Sequence, residues 1–126
     1  MWINVLLVGM GGALGASGRY LSGVAAMRLF GPGFPWGTVF VNLVGSLAMG
    51  LLIGWLANRT QPAPQLQVFV ATGVLGGFTT FSAFSLDAVT LWERGETLAA
   101  FGYVLGTVVV GIAALFAGLS IMRAIG

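Results

Sequence analysis

The sequence predicts an all-α integral membrane protein, on three observations. Hydrophobic residues make up 58% of the 126 positions and charged residues only 6%, against about 25% charged in soluble domains. Four apolar stretches, each long enough to cross a bilayer, are joined by short connections rich in turn residues. One of those stretches is interrupted near its middle by glycines, hydroxyls and phenylalanines. Mean hydropathy is +1.01, so the chain cannot cover itself with a water-facing surface. A single transmembrane domain over residues 1–126 is expected.

About 20 mostly apolar residues span the hydrocarbon core. The first span runs from about Ile3 to Met27. It is not expected to be a signal peptide: no basic segment precedes it, and further apolar spans follow. The second runs from Trp36 to Ala57 and is set off by Gly31-Pro32-Gly33-Phe34-Pro35. The third runs from Leu66 to Trp92, after Asn58-Arg59-Thr60-Gln61-Pro62-Ala63-Pro64. The fourth runs from Leu98 to Met122, after Glu93-Arg94-Gly95-Glu96. The connections hold the Gly and Pro that punctuate helices.

The third span carries the main anomaly, Gly73-Val74-Leu75-Gly76-Gly77-Phe78-Thr79-Thr80-Phe81-Ser82-Ala83-Phe84-Ser85. A break here, around Gly73 to Thr79, exposes backbone N–H and C=O groups. In lipid such groups cost several kcal/mol each, so the break must be buried in protein or line a cavity. Thr80 to Ser85 is expected to line an ion path. Phe78, Phe81 and Phe84 recur every three residues, near one face of a helix. They either pack or offer positive ring edges to an anion.

Composition excludes several classes. The chain has no cysteine and no histidine, so thiol and imidazole chemistry and Cys/His metal sites are absent. All five basic residues are arginines, scattered singly, so no basic patch for nucleic acid exists. No lysine is available for a nucleotide-binding P-loop. No nucleophile–base pair stands out, and enzyme activity is not expected.

The polar residues inside the spans are mainly neutral donors: Thr38, Asn42 and Ser46 on the second, Thr79, Thr80 and Ser82 on the third, Tyr103 and Thr107 on the fourth. The deepest charge is Arg19. It either snorkels to an interface, faces a water-filled vestibule, or pairs with a carboxylate such as Asp87. Proton- and cation-coupled carriers place an acid at mid-membrane; donors plus an arginine suit an anion. Asn42 fits either an anion path or a bond between helices.

Four spans would leave both termini on one side. Arg59 and Arg123 fall on that side, Arg28 and Arg94 on the other. Orientation follows Lys/Arg bias in short loops, and two against two leaves two readings: a small bias elsewhere, or insertion in both orientations. Opposed copies could then pair as an inverted repeat. Small residues recur every four positions at Thr38, Asn42, Ser46, Gly50 and Gly54, at Gly11 and Gly15, and at Gly102 and Gly106, the spacing that lets helices approach closely in lipid.

Three segments together carry a resemblance: Gly11-Gly12-Ala13-Leu14-Gly15-Ala16-Ser17-Gly18-Arg19, Trp36-Gly37-Thr38-Val39-Phe40-Val41-Asn42-Leu43-Val44-Gly45, and the Gly73–Ser85 run. In length, span count and motif order the whole chain resembles the Fluc (CrcB) family of fluoride channels. The resemblance implies an antiparallel, dual-topology homodimer of four-helix subunits in the cell inner (plasma) membrane, the third helix broken near its centre, with two pores at the subunit interface. It implies passive fluoride export and a structural sodium ion on the dimer axis, held by backbone carbonyls that here belong to Gly76 and Thr79. It implies that Phe81 and Phe84 flank fluoride and that Asn42 is the pore asparagine. Tyr103 and Thr107 form a polar track with Thr38 near it, Thr80 and Ser82 line the path, and Arg19 lies in the vestibule. Gly111 and Asp87 depart from the family pattern, in the length of the track and of the acid. A small multidrug exporter also has four spans, but it wants a buried acid in the first span, and no acid precedes Asp87. A non-conducting membrane scaffold leaves the Thr/Phe/Ser run without a purpose.

Overall fold

A computed structural model describes all 126 residues, and every regular element in it is helical. Helix α1 covers Trp2–Phe30 and α2 covers Trp36–Ala57. The third apolar stretch is composite: a short turn α3 (Pro64–Gln67), a π-helical segment (Val68–Leu75), a second turn α4 (Gly76–Phe78), and, after a break at residues 79–81, helix α5 (Ser82–Glu93). Helix α6 covers Thr97–Ile125.

The turn residues act where their backbone chemistry predicts. Pro64 occupies the first turn of α3, where a missing N–H costs nothing. Gly31 ends α1 and Gly95 ends α5 with φ of 75° and 82°, a region that side chains with a Cβ avoid.

Three segments are long and apolar enough to cross a membrane: Trp36–Ala57, Pro64–Glu93 and Thr97–Ile125. The chain is an integral, multi-pass membrane protein. Helix α1, at 29 residues, has the length; its Asn4, Ser17, Arg19, Ser22 and many glycines hold its hydropathy below that of the other three. Four spans were expected, and α1 differs from the other three in this polar, glycine-rich composition.

Packing follows the small residues. Helix α2 lies along α6, and α1 lies against the π-helical segment, α4 and α2. At Gly118 an added Cβ would sit 2.6 Å from the Leu47 carbonyl oxygen and 2.6 Å from the Leu51 amide nitrogen. At Gly11 it would lie 2.9 Å from the Cα of Gly73, and at Gly15 it would run into the Val74 carbonyl. Gly11 and Gly15 therefore pack as their spacing predicts, and so do Gly50 and Gly54 on α2, against Leu115 and Met122. Gly102 and Gly106 do not: nothing lies within 4 Å of either. The close contact on α6 is made by Gly118 instead.

Phe84, Leu91, Ala100 and Tyr103 form the buried cluster between α5 and α6. The two ends of the bundle are tied by polar contacts. Arg94 donates from Nη2 to the Gly33 carbonyl at 3.0 Å and bridges Glu96 at 2.9 Å. At the opposite end Asn58 donates from Nδ2 to the Met122 carbonyl at 3.0 Å. Arg28 and Arg94 thus share one end, and Arg59 and Arg123 the other.

Gly118→Val should disrupt α2 against α6, since overpacking a tight contact costs about 1–3 kcal/mol and more when backbone is struck. The expected result is a clear drop in melting temperature of detergent-purified protein. An unchanged melting curve would mean the two helices separate without penalty.

Candidate functional site: a polar path along the helix break

The break is built from three residues after the glycines. Thr79 turns extended, with φ −82° and ψ 163°, and helix resumes at Ser82. Gly73, Gly76 and Gly77 remain helical, so the break falls at 79–81 rather than around Gly73 to Thr79. Gly73 and Gly77 serve contact instead: an added Cβ would sit 3.0 Å from the Gly11 Cα at Gly73 and 2.8 Å from the Gly12 carbonyl at Gly77. The break also separates Phe78 from the other two rings. Phe78 meets Phe40 edge-on at 6.5 Å, whereas Phe81 and Phe84 lie 6.0 Å apart. The three phenylalanines therefore share no single helix face.

Backbone groups freed by the break are taken up by side chains from other helices. Asn42 on α2 donates from Nδ2 to the Thr80 carbonyl at 3.0 Å, and its Oδ1 accepts the Thr80 N–H at 2.8 Å. One carboxamide satisfies both polar groups of one residue. Arg19 donates from Nε to the Gly77 carbonyl at 3.0 Å. The Thr80 hydroxyl accepts the Ala83 N–H at 3.1 Å, at the start of α5, as helix-capping hydroxyls do. No loop, cap or side-chain hydrogen bond ends on the carbonyl oxygens of Gly76 or Thr79.

A second polar knot lies nearer the Arg28 end. Thr38 Oγ1 and Tyr103 Oη both donate to Oδ2 of Asp87, at 2.7 and 3.1 Å. Asp87 was one candidate partner for Arg19, beside an interface and a water-filled vestibule. The structure gives it two hydroxyls instead and gives Arg19 a backbone carbonyl. Sequence reasoning missed this three-helix knot. Its signal was depth: Asp87 lies six residues before the Glu93 end of α5, and Tyr103 six after the Thr97 start of α6.

Three cavities follow one another past these residues. The largest, about 520 Å³, is bordered by Arg19, Arg28, Thr38 and Thr80. Thr38 also borders a cavity of about 190 Å³ with Asp87 and Phe34. Thr80 also borders one of about 370 Å³ with Asn42, Ser46, Thr79, Phe81, Phe84 and Thr107. This last cavity has hydroxyl and amide donors, two aromatic rings and no carboxylate in its wall. Phe84 is 8% exposed and Phe81 is 79% exposed, so one ring is fixed in the core and the other faces out of the subunit.

Of the residues expected at a site, Asn42, Thr80, Phe81, Phe84 and Thr107 come together at this cavity, with Thr79 beside them. Thr38 and Arg19 lie along the neighbouring one. Tyr103 borders neither: its ring is buried against Phe84 at 5.0 Å and its hydroxyl goes to Asp87. Ser82 is exposed and borders neither. Gly76 is exposed at the start of α4.

Residues 6–119 match the family described as CrcB-like protein, Camphor Resistance (CrcB). The chain is 57% identical over 122 residues to a fluoride-specific ion channel FluC of Mesorhizobium japonicum, covering 97% of this chain and 98% of that one. It is 57% identical over 122 residues to the protein of that name in Agrobacterium fabrum, covering 96% and 97%. With the corresponding protein of Hyphomonas neptunium it shares 56% over 121 residues, 95% of each chain.

Asn42→Ala should leave the N–H and C=O of Thr80 without partners, at about 1–3 kcal/mol for each group shut off from water. The expected outcome is a lower melting temperature for the mutant in detergent. A stability equal to the parent's would mean that water reaches both groups.

Proposed function

This chain belongs to the CrcB-like family, and from that membership and the polar path we propose that it is a fluoride-selective channel letting fluoride leave the cell passively. One observation carries the proposal: the cavity at the helix break joins neutral donors to phenylalanine rings and has no carboxylate in its wall. Such a wall attracts an anion through N–H, O–H and positive ring edges. It holds the ion weakly enough to release it, as conduction requires. An inside-negative potential drives anion exit by about 2.3 kcal/mol per charge per 100 mV. The relatives are named as channels, not enzymes. The buried first-span acid that a small organic-cation exporter would need is absent, since no acid precedes Asp87.

In this reading α1 also crosses the membrane, and its Arg19, Tyr20 and Arg28 border the path. At about 1.5 Å per residue its length suffices. Asn42, Thr80, Phe81, Phe84 and Thr107 form the narrow part of the pore. Thr38 and Arg19 line the vestibule. Tyr103 acts through Asp87, and Ser82 follows the break at the outer surface.

The functional unit is an antiparallel homodimer with two pores at its interface, in the plasma membrane. Two features support it. Phe81 faces outward beside an open cavity, so a second copy would complete the wall. Each end of the bundle also carries two loop or helix-end arginines and two tryptophans, Trp36 and Trp92 at one end, Trp2 and Trp55 at the other. Neither the Arg bias nor the aromatic anchors then favour one orientation.

The sodium ion that the family resemblance implies fits the donor set. Gly76 and Thr79 offer carbonyl oxygens with no protein donor at the break, and oxygen ligands suit a hard cation. Bound there, the ion would supply those carbonyls with a partner and add positive charge near the anion path.

Purified protein in liposomes loaded with fluoride should release it, and release chloride far more slowly. Efflux equal to that of empty liposomes, or equal rates for the two anions, would sink the proposal. Phe81→Ile and Phe84→Ile should each lower flux about tenfold or more, the effect of ~1.4 kcal/mol on a barrier, with assembly retained on size exclusion. A cysteine placed in the 60–63 connection should be labelled from both membrane faces; labelling from one face alone would exclude dual insertion.

A further inference from the structure

The end of the bundle that opens into the largest cavity is unusually acidic for an anion path. All three acids of the chain, Asp87, Glu93 and Glu96, lie in α5 or just after it, toward that end. Against them stand two arginines. Arg94 is committed, bridging Glu96 at 2.9 Å and donating to the Gly33 carbonyl at 3.0 Å. Arg28, in the last turn of α1, makes no hydrogen bond or salt bridge, is exposed, and borders the cavity of about 520 Å³. Arg19 borders the same cavity, nine residues deeper, or about 14 Å along the helix axis. Its Nε is held by Gly77, which leaves the rest of its guanidinium free. Asp87 does not border this cavity and already accepts from Thr38 and Tyr103.

We infer that Arg28 is the anion-capturing residue of the cavity mouth, which passes fluoride inward to Arg19. The inference rests on the channel reading. Their positions on the helix lie farther apart than the screening length of about 8 Å at physiological salt, so an incoming anion meets Arg28 first. Without Arg28 the uncommitted charge at this end of the bundle is Glu93, which repels an anion before it reaches Arg19. Clefts lined by one sign of charge raise the arrival rate of the opposite ion, and salt abolishes the gain.

The test is fluoride efflux from proteoliposomes at sub-saturating fluoride, at ~10 mM and at ~500 mM ionic strength, which bracket screening lengths of about 30 Å and a few Å. Arg28→Gln should lower flux about threefold or more at low ionic strength and converge on the parent at high ionic strength. Arg28→Lys should retain most of the flux. Arg123→Gln, which removes the same charge from a helix end outside the cavity, should match the parent. Equal flux of Arg28→Gln and the parent at low ionic strength would overturn the inference, and so would a loss that salt leaves unchanged, because a packing role is insensitive to salt. Absence of fluoride flux in the parent itself would instead overturn the channel reading on which the inference rests.

Discussion

A broken helix in hydrocarbon must find partners for its backbone, and the arrangement of this bundle follows from that demand. The break at Thr79–Phe81 opens polar groups where water is scarce. Asn42 from α2 closes on the N–H and C=O of Thr80, and Arg19 from α1 takes the carbonyl of Gly77. These two side chains also border the cavities, so the groups that make the break tolerable are the groups that make its surroundings polar. Structural repair and the polar lining of the cavities are one set of atoms here.

Those side chains reach the break only because the helices run close together. A Cβ at Gly15 or Gly77 would collide with backbone of the facing element, and the approach of α1 to α4 brings Arg19 within reach of Gly77. Gly118 does the same for α6 against α2, which carries Thr107 to the cavity that Asn42 borders. The glycines are thus upstream of the chemistry. They contribute no donor, but they set the distances at which donors meet.

Much of this was legible in the sequence. The span from Trp36 to Ala57 was readable to the residue because Pro35 and Asn58 flank a continuous apolar run. The family resemblance grouped Asn42, Thr80, Phe81, Phe84 and Thr107, and these five border one cavity. Three things were not legible. The extended residue is Thr79, because Gly73, Gly76 and Gly77 stay helical and two of them, Gly73 and Gly77, are spent on packing against α1; glycine content reports close approach as readily as it reports a break. Gly102 and Gly106 have the spacing of a packing motif and meet nothing, since spacing does not say which face is covered. Asp87 drew two hydroxyls instead of Arg19, because charge attraction on paper ignores that Arg19 is already anchored about one turn from the break.

The clasp on Thr80 has one more consequence. A carboxamide has one acceptor atom and two N–H groups, and Asn42 commits the acceptor and one N–H to a single residue. Its orientation is thereby locked, since exchanging oxygen and nitrogen would set like against like. One N–H is left over beside the cavity, and it can only donate. An ion in that cavity would therefore meet the positive, N–H end of a fixed dipole. Such an amide would favour an anion while bearing no charge itself, and, unlike a carboxylate or an imidazole, would do so identically at every physiological pH.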